Sequence, residues 1–315
     1  MSVVSTGLNV AGLRSEFFAR LAAITGIYWD ALTHRVPTTK GNEDFRWLGA
    51  VPQMREWGTG RVGKGLNVEA YNIATQRYEA TLEVDKLEID RDQTGQIKIR
   101  VQELAQRAGT HKDFLIGNLI KNGGSTGFEV QDGKTFFATD HEYGASGAQS
   151  NDLTFDISAK MTAEPDTPTT PSAPTIRRAF SEAVGTMASL KDDRGEPLRL
   201  SPQGLYLACT PLTAQFFNDA LNASLVNNTT VQQVIGKPTN IVAFPELTNH
   251  AQFYVFKTDE PVRPFTFLDE SPIEFGAQEQ NSESGFMQEV YRYGVRAVYR
   301  IWLGDWRKAI RVTLA

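Results

Sequence analysis

LNVEAYNIATQRYEATLEVD, residues 66–85, alternates apolar and polar positions over most of its length. Leu66, Val68 and Ala70, then Tyr78, Ala80, Leu82 and Val84, share one side, while Arg77, Glu79, Thr81, Glu83 and Asp85 take the other. A two-residue period marks a β-strand with one covered face. The stretch reads as two long strands of a hairpin, each reaching roughly 30 Å at about 3.3 Å per residue, longer than the usual strand. So few large apolar side chains cannot bury such a hairpin in its own domain. It is expected to lie on something else, with a neighbouring subunit the natural candidate.

Outward from this stretch the pattern changes on both sides. Upstream, Leu13, Phe17, Leu21, Ile24 and Tyr28 recur every three or four residues, which predicts an amphipathic helix over about 11–33. Residues 37–65 are rich in glycine and proline, keep no period and carry Trp47 and Trp57, so they form a long irregular segment. Downstream, residues 90–95 make a turn, and Val101, Leu104, Ala108, Leu115 and Leu119 predict a long helix over about 97–122, stopped by Gly123 and Gly124. FEVQDGKTFFATDHE (128–142) reads as a short hairpin. Pro165, Pro168, Pro171 and Pro174 stand three apart, the repeat of a polyproline II helix, and predict a stiff spacer. Ile176, Phe180, Val184 and Met187 mark a further helix, GLYLACT (204–210) a buried strand and 211–222 another helix. Tyr291, Tyr293, Val295, Ala297, Tyr299, Ile301 and Leu303 then alternate against Arg292, Arg296 and Arg300. The fold class is α+β with long extensions.

Composition sets the outer bounds. The 315 residues are 41% hydrophobic, 10% aromatic and 22% charged, as in a folded globular protein, and no uninterrupted apolar run is long enough to span a membrane. With no basic and apolar leader, the chain is expected to be made in, and remain in, a cytosol. One cysteine, Cys209, rules out an intramolecular disulfide and a cysteine-only metal cluster, and is expected to be buried. A net charge of −5 argues against a dedicated nucleic-acid binder. Charge is uneven: residues 83–92 and 269–289 are acidic, whereas 292–311 carry Arg292, Arg296, Arg300, Arg307, Lys308 and Arg311 against Asp305 alone.

Strings that resemble catalytic motifs fall in the wrong contexts. GTGRVGKG (58–65) fits part of a phosphate loop, but Gly65 stands where a metal-binding hydroxyl belongs and a strand follows instead of a helix. GGSTG (123–127) fits a nucleophile elbow, yet a helix precedes it. DRDQTG (90–95) opens like a calcium loop, but Val101 occupies the position of the bidentate glutamate. His34, His111, His141 and His250 are isolated in sequence and read as structural. No catalytic residue, metal site or cofactor is expected.

RWLGAVPQMREWGTGR (46–61), YNIATQRYEATLEVDKLEIDRDQTG (71–95), DGKTFFATDHE (132–142) and GEPLRLSPQGLYLACTP (195–211) together resemble, in order and spacing, the major head subunits of Mu-like phages and prophages. The resemblance runs over about residues 10–300. It implies the Hong Kong 97-type capsid fold: an N-terminal arm (1–45), an extended hairpin loop (46–92), a peripheral domain with a spine helix and proline-rich linker (93–174), an axial domain (175–260) and strands returning to the peripheral domain (261–315). The role it implies is a major capsid protein of the virion, assembled in the host cytoplasm into an icosahedral shell of hexamers and pentamers around double-stranded DNA. The short arm leaves no room for a fused scaffold, so a separate scaffold protein, a maturation protease and a portal are the implied partners.

In that setting the basic loop residues Arg55, Arg61 and Lys64, with Glu56 and the aromatic anchor Trp57, are expected to contact the next subunit on acidic residues of 83–92 or 269–289. Lys64 also resembles the loop lysine through which some relatives crosslink, although no asparagine partner stands out. The alternatives are a cellular nanocompartment shell of the same fold and a cytosolic enzyme with an unrecognised site.

Overall fold

A computed structural model describes residues 10–24, 27–39, 41–48, 68–92, 95–158, 166–222, 225–226, 229–230, 237–279, 282 and 287–315. Its helices are α1 (Val10–Ala22), α2 (Trp29–Leu32), α3 (Lys86–Arg91), α4 (Gln96–Asn122), α5 (Ala173–Ser189) and α6 (Ala214–Asn222). The strands run β1 (Thr33–Pro37), β2 (Asn42–Leu48), β3 (Val68–Ala74), β4 (Gln76–Asp85), β5 (Asp152–Phe155), β6 (Leu205–Cys209), β7 (Leu225–Val226) and β8 (Thr229–Thr230). They continue with β9 (Asn240–Ala243), β10 (Gln252–Lys257), β11 (Phe265–Gln278), β12 (Val290–Leu303) and β13 (Ala309–Leu314).

Two sheets organise the chain. One has the order β1-β11-β12-β4, and the other β5-β13-β10-β6-β9. Strands β11 and β12 thus join β4, whereas the last strand, β13, enters the second sheet between β5 and β10. The alternation of residues 291–303 is realised: every odd-numbered residue from Tyr291 to Leu303 is buried. This single strand serves both cores. Tyr291, Tyr293 and Val295 pack with α1 and α4, while Ala297, Tyr299, Ile301 and Leu303 join the larger core with α5, α6 and the second sheet.

The long helix forms where its period places it. Val101, Leu104 and Ala105 are buried toward one end, and Ile116, Leu119 and Ile120 toward the other. The Asp92 carboxylate accepts from the amides of Gln96 (3.1 Å) and Ile97 (3.0 Å), satisfying donors that the first turn leaves free. Gly109 sits mid-helix because a Cβ there would lie 2.3 Å from Ile24 Cδ1 and 3.2 Å from Leu21 Cδ1, so the α1 segment crosses close over it.

Three expectations need correction. The predicted helix over 11–33 ends at Ala22, and a short second helix begins at Trp29, where the amides of Tyr28 and Trp29 donate to Asp113 of α4 and not to the carbonyls of a continuing helix. The two strands of 66–85 are not each other's partners. Strand β3 pairs antiparallel with β2, from Asn42↔Ala74 to Leu48↔Val68, and beyond Thr75 the chain continues as β4 along β12. The ribbon is therefore β2–β3, and β4 finds its cover inside the subunit, with Val84 buried beside Tyr291 and Tyr293. The proline repeat does not form one extended rod. Thr167 and Thr170 bond each other's backbones across a tight turn, Asp166 accepts from Ser172, and Pro174 occupies the first turn of α5. Pro165 lies outside the described residues.

Candidate functional site

The polar face of β4, β12 and β11 is a ladder of opposite charges. Arg292 Nε donates to Glu83 Oε1 at 2.6 Å, and Arg296 Nη2 to Glu274 Oε2 at 3.3 Å. These pairs follow from register, since Arg292 stands opposite Glu83, and Arg296 opposite both Glu79 and Glu274. The basic residues at the start of 292–311 thus meet the two acidic runs within one subunit. Each exposed pair contributes at most about 1 kcal/mol. Gly276 and Gly294 face each other between the charges and leave a shallow trough lined by Arg77, Thr81 and Gln278.

Under the opposite face, α4 fastens the segment that leads into β1. Asp113 accepts from Tyr28 N (2.9 Å) and Trp29 N (2.7 Å), so the start of α2 is capped by a residue of another helix. Burial pushes this carboxyl above its ordinary range, against the pull of the two amides. The neighbouring Lys112 ammonium lies 4.1 Å from the Trp29 ring centre, 4.4 Å from that of Phe267 and 5.2 Å from that of Tyr299. Burial lowers its pKa, with Asp269 acting the other way. His111 Nδ1 lies 2.6 Å from the Tyr299 hydroxyl, and burial holds this imidazole below its usual value. Nothing in the sequence pattern marked Lys112 or Asp113, because their partners lie some 85 to 190 positions away.

The other ionisable groups tie loops together. Arg307 makes a two-toothed contact with Asp305, at 2.8 and 3.1 Å, and both are buried. Lys308 pairs with Glu260, and Lys257 with Asp259. His141 Nδ1 lies 2.5 Å from Asp132 Oδ2 and its ring stacks on Trp306 at 3.9 Å. His250 meets Thr210, and His34 meets Thr266. Gly124 of the GGSTG string lies against Arg311, whose guanidinium would be 2.4 Å from an added Cβ, so this glycine is a packing residue.

The predicted contact residues Arg55, Glu56, Trp57, Arg61 and Lys64, and with them GTGRVGKG, lie outside the described residues. Of their expected acidic partners, Glu83 and Glu274 are engaged by arginines of their own subunit, and Asp269 pairs with Arg35. Among the described residues no group of acidic, histidine or cysteine side chains has a metal-holding arrangement, and no helix is long and apolar enough to cross a membrane.

Residues 8–162 match the family described as Mu-like prophage major head subunit gpT. The Mu-like prophage FluMu major head subunit of Haemophilus influenzae is 29% identical over 135 residues, covering 43% of this chain and 43% of that protein. The major capsid protein of Escherichia phage Mu is 29% identical over 104 residues, a third of each chain. The matched region thus spans less than half the length of these relatives. Across nearly the whole chain the fold resembles that in the procapsid of bacteriophage JBD30, with a TM-score of 0.55 and 20% identity, covering 96% of this chain and 74% of that one. Residues 8–162 are thus similar to the Mu-like gpT major head subunit family, and the mixed helix and sheet architecture is the phage capsid fold of the Hong Kong 97 type.

Proposed function

We propose that this protein is the major head protein of a Mu-like phage or prophage, and that copies of it close into an icosahedral shell around double-stranded DNA. The observation that carries this is the family match over residues 8–162, a stretch that includes the β2–β3 ribbon and the long helix α4. The ribbon forms a sheet of its own and touches the rest of the subunit mainly where β3 nears β12, as suits an element that reaches past its own subunit. Shell chemistry is association, with contacts weak singly and strong collectively, so that errors are corrected before closure. Hexamers and pentamers of the chain, a separate scaffold, a maturation protease and a portal complete the proposed assembly. The domain plan 1–45, 46–92, 93–174, 175–260 and 261–315 belongs to the same proposal.

At the loop tip, Arg55, Arg61 and Lys64 would meet acidic surface of the neighbour, with Trp57 as the anchor and Glu56 beside it. Within the 83–92 run, Glu83 is already paired with Arg292 and Asp85 caps α3, so Glu88, exposed on α3, is the candidate acid. The net charge of −5 suits a container whose inner wall tolerates DNA without holding it tightly. Sedimentation velocity of the expressed chain, alone and with its scaffold, tests the proposal. Particles far larger than a dimer support it, whereas a monomer or dimer under both conditions refutes it.

A further inference from the structure

We propose that β4 is a contact between two copies of this chain, the strands meeting edge to edge and antiparallel about a two-fold axis at Ala80. The inference deepens the shell reading by naming one of its contacts.

Strand β4 is the outer strand of its sheet, and among the described residues its far edge has no backbone partner. Free edges are ordinarily blunted by shortness, charged side chains (lysine above all), proline or a bulge. The opposite edge of the same sheet, β1, has five residues and ends in Pro37, and the edges of the other sheet, β5 and β9, have four each. By contrast β4 has ten residues, no proline or lysine, and an unbroken ladder with β12. Its residues are mostly exposed, Arg77, Glu79, Ala80, Thr81 and Glu83 among them. The charges it does carry, Arg77 against Glu79, Glu83 and Asp85, are of both signs, so a second copy can match them.

The sequence of the strand is complementary to itself. A two-fold axis normal to the sheet pairs residues that point to the same face, so only axes centred on a residue are allowed. Centring on Ala80 or on Thr81 keeps nearly the whole strand paired. Centring on Thr81 sets Glu79 against Glu83 of the second copy. Centring on Ala80 sets Arg77 against Glu83, Tyr78 against Leu82 and Glu79 against Thr81, with Ala80 facing its own copy, so like charges never meet. Arg77 has no acidic partner within its subunit among the described residues, while Glu83 already accepts from Arg292. The contact would therefore complete an Arg292–Glu83–Arg77 row across the axis.

Residues directly opposite in an antiparallel pair have Cα atoms about 4.5–5.5 Å apart, within disulfide reach. The protein's own cysteine, Cys209, is buried and does not compete. Mild oxidation of assembled Ala80→Cys protein should link most chains into dimers on a non-reducing gel, while Glu88→Cys, exposed on α3, should link few. Adding Arg77→Glu to Ala80→Cys should reduce the dimer yield severalfold without changing the melting temperature of the subunit. Shells that form normally with no linkage at residue 80 overturn the contact and leave the shell reading intact. Linked dimers in a chain that never forms shells uphold the contact and remove the shell reading. Equal linkage at residues 80 and 88 overturns the specific register.

Discussion

Asp305 is buried to 3% exposure, and its ionised form survives there because Arg307 holds both oxygens. Burial alone pushes this carboxyl up, but the Arg307 guanidinium and the nearby Lys308 keep it below the ordinary carboxylate range. Asp305→Ala, which takes from buried Arg307 the carboxylate that grips it with both oxygens, should cost about 3 kcal/mol in urea unfolding at neutral pH. The pH dependence has a definite sign. A depressed folded pKa contributes stability above the unfolded value, near 4, and that contribution disappears as pH falls through the folded pKa. The difference between wild type and Asp305→Asn should therefore shrink on moving from pH 7 to below pH 3. Cys209 gives a second residue-level prediction. Its thiol, pushed up to about 12 by burial, should resist a thiol reagent in the native state and react once per chain after unfolding. Its burial was legible in GLYLACT, an apolar run that carries the cysteine near its end. Asp113 and Lys112 were not, because a cap or an aromatic cage supplied from far along the chain leaves no local pattern.

Asp113 governs an element, the junction of α2 with α4. Asp113→Ala should cost about 2 kcal/mol, as for loss of a charged helix cap, and should speed hydrogen exchange at the amides of Tyr28 and Trp29. Exchange unchanged at both amides would show that the bonds do not hold the segment down. At this scale the sequence was most legible where one face is buried over many turns or residues: α4 lies within a residue of its predicted start, and β12 alternates without a break. It was least legible for strand partners. Period two marks residues 66–85 as strand but carries no information on which strand lies alongside, so β2 and β12 could not be read as the partners of β3 and β4. Similarly, the apolar spacing that runs on to Tyr28 is blind to the acceptor on α4 that takes the Tyr28 and Trp29 amides.

At the scale of the whole molecule, β12 joins the two cores, so the subunit is expected to unfold as one cooperative unit around it. The proposed loop contact is expected to be separable from that stability. Arg61→Glu with Lys64→Glu should leave the melting temperature of the subunit unchanged while reducing assembly at low salt, with less difference at high salt, where exposed charges are screened. Normal assembly at both salt concentrations would remove these residues from the interface. The resemblance to the Mu-like family was legible in the sequence because WLG, the REW run and the strands after them stand in order and spacing. The proposed partner surface rests on opposite charge alone, and part of that charge is engaged within the subunit in the exposed pairs Arg292–Glu83 and Arg296–Glu274. The most direct test is negative-stain electron microscopy of the expressed protein together with its scaffold. Closed, uniformly sized shells are the predicted result, whereas a field of monodisperse monomers or dimers would contradict the assignment of this chain as a shell subunit.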